Sequence, residues 1–250
     1  MRLRKDKRIG KVILVVEGAR HEFNLMKKVF VDALGYTQIE KRRGSADFYM
    51  RQGDRHSMVA VVNTKTSNIS SINDREYLDA IFEELIEKYD FDIDNAAIYY
   101  VFDRDPKSNT DPVLIARLIE KLKNSRENDE YMRGGMLILS YPSIEAYEIS
   151  NFVDGSFEIK AGLGKDAKNY ISRAARDIAM NKISEDSIVH AGRELCGFLE
   201  KKGIAMDLDD FSHTGRAVFE EEELSFKQEQ AFRVLSMFSC VLMDLGVMEG

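Results

Sequence analysis

Cysteine is almost missing from this 250-residue chain: Cys196 and Cys240 are too few and too widely spaced for a thiolate metal site, and both fall in apolar helical patterns as free buried thiols. The four histidines, His21, His56, His190 and His213, show no spacing that argues for zinc. No apolar run is long enough to cross a bilayer, so no membrane partner is expected. There is no Gly-x-x-x-x-Gly-Lys-[Ser/Thr] loop, which means that any ATP-driven step would have to come from a separate protein. Internal repeats and low-complexity tracts are also absent.

What remains has the composition of an ordinary globular protein, 44% hydrophobic and 32% charged. The length suits one large domain, or a compact core with an appendage. The first residues have a basic start and a short apolar patch ending in Glu17. They read as a first core strand rather than a signal peptide, and the chain as cytoplasmic. The net charge of -7 is unevenly spread. Residues 1 to 63 carry 14 Lys and Arg against 7 Asp and Glu, and the remainder 22 against 36, so +7 and -14 make up the total. Basic clusters at Arg2 to Arg8 and at Lys41-Arg42-Arg43 offer local positive surface for phosphate, or else simply solvated charge.

Two near-continuous apolar runs, Val12 to Val16 and Ala96 to Phe102, read as buried parallel strands, each followed by a turn and a helical pattern. Phe23, Met26, Phe30 and Ala33 mark the first helix, which stops at Gly35. Thr37 to Arg43, Asp47 to Arg51 and Met58 to Asn63 read as an inserted hairpin or meander, and Thr64 to Ser71 as a polar mobile loop. Asp111-Pro112 starts another helix, Met136 to Ser140 forms another strand, and Ser143 is placed to cap a helix bearing Glu145 and Glu148. The expected fold is therefore α/β, a parallel sheet flanked by helices, over residues 1–152. An all-helical extension over 153–250, with helices at 162–177, 185–202 and 225–247, packs on it. The acidic segments Asp207 to Asp210 and Glu220 to Glu223 are placed between those helices.

The strands run into carboxylates: Glu17-Gly18 ends the first, Asp103-Arg104-Asp105 the second. Ligands of open α/β sheets sit outside the carboxyl ends of the strands. Acids gathered there stay ionised at neutral pH only beside a cation. Oxygen ligands of this kind suit Mg2+ or Mn2+, which activate water and neutralise charge on a phosphodiester. Asp103 and Asp105, two apart, would share a face of an extended strand. The plainer alternative is that they end the strand and cap a turn.

A Glu-Gly strand end followed by a helix and a later Asp-x-Asp strand end resembles the Toprim domain, shared by topoisomerases, DnaG-type primases and OLD-family nucleases. The chain is also similar to RloB-type bacterial defence proteins. That likeness rests on Glu17-Gly18 followed by Glu22, on Phe102-Asp103-Arg104-Asp105, and on Ser140-Tyr141-Pro142-Ser143-Ile144-Glu145, over residues 11–152. A tryptophan expected after that glutamate is missing, with Tyr147 near its place. The resemblance implies a metal-dependent endonuclease acting on DNA or RNA, with a role in anti-phage defence. Glu17, Asp103 and Asp105 are the implied metal ligands, and Glu145 is a fourth acid of the catalytic set or a favourable charge in a helix first turn.

Arg20, Arg104, Lys41, Arg42 and Arg43 are candidate substrate-binding cations, although Arg20 and Arg104 could instead pair with carboxylates. Glu22 faces the metal or solvent, and Lys165 and Lys168 either reach a substrate or, the plainer reading, sit on a solvated helix face. Two other functions stay open: a noncatalytic Toprim-like partner of an ATPase, and an Asp-nucleophile phosphatase. The latter fold usually carries its Asp-x-Asp in the first strand, which this chain does not.

Overall fold

The computed structural model describes all residues except 19, 41–45, 65, 74, 92 and 128–133; the side chains of Glu40 and Arg75 are also outside the description. The strands in chain order are β1 (Arg2–Leu3), β2 (Lys11–Val16), β3 (Tyr36–Glu40), β4 (Ala46–Arg51), β5 (Asp54–Asn63), β6 (Ala97–Asp103), β7 (Lys123–Asn124), β8 (Gly135–Tyr141), β9 (Lys160–Ala161), β10 (Phe232–Arg233), β11 (Leu235–Ser236) and β12 (Met248–Glu249). The α-helices are α1 (His21–Lys27), α2 (Arg75–Tyr89), α3 (Pro112–Lys121), α4 (Glu145–Ser150), α5 (Gly164–Arg173), α6 (Glu185–Lys202), α7 (Phe211–Glu229) and α8 (Phe238–Asp244).

The fold is α/β, built on one mixed sheet of order β11-β8-β6-β2-β5-β4-β3, with β7 also paired to β8. Its centre, β8-β6-β2-β5, is parallel. The hairpin β3-β4 is antiparallel and continues the sheet from β5. Val12 to Val16 are completely buried, as are nearly all residues of β6. Burial on both faces explains why these strands are apolar throughout rather than alternating.

The connections fix where a ligand would sit. From β2 the next strand of the parallel set is β5, on one side of it; from β6 the next is β8, on the other side. The gap between the carboxyl ends of β2 and β6 is thus the switch point of the sheet, where adjacent connections diverge and leave a crevice.

Asp111 caps α3 as its sequence suggests, accepting from the N–H groups of Val113 and Leu114 at 2.9 and 3.0 Å, with Pro112 in the first turn. Elsewhere the structure departs from the sequence reading. The stretch 225–247 is not one helix. Helix α7 ends at Gln230, a left-handed residue (φ 55°), and the chain then pairs twice as a strand: β10 with β9, and β11 with β8. The C-terminal third is accordingly not all helical. Two-residue strands carry too little pattern to be read locally, and their partners are more than 70 residues away. One hydrophobic core spans both parts of the chain: β11 extends the sheet at β8 and α8 packs against β8. Glu220 to Glu223 lie within α7, not between helices. The described part of the 64–71 stretch is not a free loop. It leads into a short 3-10 helix, Ile69–Asn73, tied to the site by Ile69 N–H donating to Asn109 Oδ1 at 2.7 Å.

The basic N-terminal residues lie at the amino ends of the parallel strands, away from Glu17. Many are already paired: Arg4 with Glu249 (2.8 Å) and Asp6 (2.9 Å), Lys5 with Glu185, Arg8 with Asp54 (3.3 Å). Lys41, Arg42 and Arg43 fall outside the described residues. No described helix is long and apolar enough to cross a membrane.

Candidate metal centre

Glu17 follows β2 and Asp103 ends β6, adjacent strands paired Val16 to Val101. Glu17 is buried, and its Oε2 accepts from the backbone N–H of Asp103 at 3.0 Å and from Asn109 Nδ2 at 3.2 Å. The Asp103 carboxylate accepts from the N–H of Ile144 at 2.8 Å, which ties the end of β6 to the turn before α4. The Asp-x-Asp pair does not share a strand face, because β6 stops at Asp103. Asp105 is held in the following turn instead, accepting from Lys107 N–H and Gly164 N–H, both at 2.9 Å.

Glycines let these groups come close. A Cβ on Gly18 would stand 2.4 Å from both carboxylate oxygens of Glu22, so the glycine of the Glu17-Gly18 pair makes room for Glu22 at the cluster. A Cβ on Gly164 would stand 2.9 Å from Asp105 Oδ2.

Glu145 is buried and accepts from Ser143 Oγ at 2.7 Å. Ser143 therefore does not cap α4: its hydroxyl goes to the carboxylate two residues on, and the N-cap position belongs to Ile144. Lys168 Nζ lies 3.5 Å from Glu145 Oε1, so this lysine of α5, although largely exposed, also meets the acids. His21 Nε2 is 3.4 Å from Glu148 Oε2 and 3.9 Å from Glu145 Oε1.

The electrostatics are those of acids crowded out of water. Burial, followed by repulsion from Glu17, Glu145 and Glu22, holds the Asp103 carboxyl well above the usual carboxylate range. Burial also raises Glu17, against its two hydrogen bonds and with help from Glu22 and Asp105. Glu22 is raised by burial as well. For His21 burial works downward, but Glu148, Glu145 and Glu22 outweigh it and the imidazole sits above its ordinary value. Glu145 raises Lys168 against burial. Six carboxylates, Glu17, Glu22, Asp103, Asp105, Glu145 and Glu148, thus face two partial counter-charges among the described residues, Lys168 and His21. That shortage of positive charge, with an all-oxygen donor set, fits a hard divalent cation.

The acids are near one another without being drawn onto one point. Among the described residues, three ligand atoms mutually within 4.8 Å occur at Asp154, His190 and Glu194, and not at Glu17, Asp103 and Asp105. Each of the latter carboxylates is instead taken up by backbone N–H donors.

No family model, curated protein or solved structure matches the chain. The site therefore rests on its own geometry. That geometry removes one sequence candidate: Arg104 is buried, with Nε on Glu223 Oε1 (2.6 Å), a second nitrogen on the Asn109 carbonyl (2.8 Å) and its guanidinium over the Phe232 ring. It braces the loop after β6 and does not face a substrate. Arg20 stays exposed at the start of α1.

The residue that sequence reading passed over is Asn109. Buried, it donates to Glu17 and, at 2.5 Å, to the Asp103 carbonyl, while its own oxygen accepts from Ile69 N–H. Nothing in the local pattern marks an asparagine four residues beyond Asp105 as a clasp between two strand ends. Asn109→Ala should cost about 1–3 kcal/mol, since it strands Ile69 N–H and one acceptor in the interior. Urea denaturation checks this; a change inside 0.5 kcal/mol would show that water replaces the amide.

Proposed function

We propose that the chain is a Toprim-type, metal-dependent nuclease that cleaves phosphodiester bonds of DNA or RNA with Mg2+ or Mn2+. The observation that carries this reading is the meeting of buried Glu17 and half-buried Asp103 side by side at the switch point of the sheet, with both carboxyls raised by desolvation and by neighbouring acids. The motif likeness of Glu17-Gly18, Asp103-Arg104-Asp105 and Glu145 supports it from an independent direction. Glu17 and Asp103 would hold the cation, with Asp105 and Glu145 beside them. Bound there, the cation would supply charge neutralisation at the phosphate and an activated water. Arg20, Lys107, Lys165 and Lys168 are exposed on the loops and helices around the acids and give a nucleic-acid backbone cations to meet. A place in anti-phage defence and a separate ATPase partner belong to the same reading.

A second reading is favoured by Lys168 and His21, whose charges already compensate part of the cluster: a noncatalytic, metal-free module that binds a partner. Cleavage assays on single- and double-stranded DNA and RNA with Mg2+ or Mn2+ separate the two. Cleavage is expected from the parent chain and a drop of at least about 100-fold from Glu17→Gln, the scale of losing one charge-stabilising group at a reacting centre. No cleavage together with no Mg2+ or Mn2+ binding would overturn the nuclease, and co-purification with a partner ATPase would then favour the metal-free module.

A further inference from the structure

We propose that Asp154, His190 and Glu194 form a second metal site, separate from the acid cluster, which takes a borderline divalent cation of the zinc class. One ligand atom from each residue lies within 4.8 Å of the other two, closer than any three acids of the switch-point cluster among the described residues. His190 and Glu194 are four residues apart on α6 and so share one face of it, while Asp154 comes from the loop after α4.

The imidazole is already oriented toward its neighbour ligand. His190 Nδ1 is 2.7 Å from the carbonyl oxygen of Ser150, at the end of α4. A carbonyl only accepts, so Nδ1 carries a hydrogen. Nε2 then faces a second acceptor, Asp154 Oδ1, at 2.8 Å. The Nε2 lone pair of the neutral ring and the Asp154 carboxylate thus point at the same place, where a proton or a metal ion can stand between them. An Nδ1–H donated to a backbone carbonyl is also how metal-bound imidazoles are held in orientation.

The third ligand is steadied in the same way. Glu194 Oε2 accepts from the N–H of Ser156 at 2.7 Å and from its hydroxyl at 3.2 Å. Gly155, left-handed at φ 65°, turns the chain between Asp154 and Ser156 so that both reach α6. Mixed imidazole and carboxylate donors select zinc-class ions over Mg2+, which prefers oxygen alone, and three protein ligands leave a position for water. The ion would fasten the 152–156 loop to α6. Helix α4 would then have the acid cluster at its start, through Glu145, and this site at its end, through Ser150. Scattered histidines in the sequence gave no zinc spacing because two of the three ligands lie more than 30 residues from the other.

The test uses Zn2+ alone, titrated calorimetrically into the full chain carrying Glu17→Gln and Asp103→Asn, which weakens the acid cluster; Zn2+ held by its remaining acids and His21 would not respond to changes at Asp154 or His190. One Zn2+ per chain is expected, with affinity at least about tenfold lower when Asp154→Asn or His190→Gln is added. Asp154 is almost fully exposed, so Asp154→Asn leaves the fold intact. Excess Mg2+ should not displace the Zn2+. Equal affinity in all variants, displacement by Mg2+, or no binding with His190 seen by NMR as an imidazolium paired to Asp154 would each overturn the site. None of these outcomes depends on whether the chain cleaves nucleic acid.

Discussion

Asp103→Asn is expected to give a chain that folds, resists denaturation better than the parent, and has lost metal-dependent cleavage. Desolvation of this half-buried side chain, and then repulsion from the acids around it, hold its carboxyl well above the usual range. Asparagine keeps an oxygen for Ile144 N–H and removes the charge. The gain should be about 0.5–2 kcal/mol, typical of relieving one strained functional group, and about 2–4 °C in Tm for each kcal/mol at this chain length.

The pH dependence follows from the same shift. Between the ordinary carboxylate range and the raised native value, Asp103 keeps a proton that the unfolded chain has already released. Stability from this group is fully present below that window and is lost as pH rises through it. Glu17 acts in the same direction. A divalent cation favours the ionised acids, so stabilisation by Mg2+ or Mn2+ should grow as pH rises through the window, and Asp103→Asn should flatten both trends. Thermal melts at several pH values with and without Mg2+ read this out. A destabilised Asp103→Asn would mean that the carboxylate is an anchor for Ile144 and not a charge held under repulsion.

Arg104→Met is expected to cost about 3–5 kcal/mol of stability, the scale for leaving one partner of a buried ion pair alone. The guanidinium holds Glu223 of α7, the Asn109 carbonyl and the face of Phe232, so its loss loosens the loop that carries Asp105 and Asn109. Adding Glu223→Met should recover part of the loss, because the remaining charge goes with it. Urea denaturation of both variants measures this. Unchanged stability with weakened nucleic-acid binding would return Arg104 to the substrate-contacting role that its place between two aspartates suggests.

Arg104 shows why the site was only partly legible. Its neighbours in sequence are acids, but its partner, Glu223, is 119 residues away on a helix that packs beside β8. Lys168 is on a solvated helix face as its pattern suggests, yet it also reaches Glu145, and the position of α5 decides that. The C-terminal strands β10 and β11 fall in a stretch whose apolar spacing is helical, and pairing with β9 and β8 overrides that spacing.

By itself the sequence determined the apolar strands, their order along the chain, the capped start of α3 at Asp111-Pro112, the inserted hairpin, and the carboxylates at two strand ends. These follow from burial periodicity and turn chemistry, which act over a few residues. Only the tertiary structure decided that β2 and β6 are neighbours across a switch point, that Asn109 clasps their ends, that Arg104 points away, and that Asp154, His190 and Glu194 meet. Such contacts depend on which distant surfaces are pressed together when the core closes, and no local pattern encodes that.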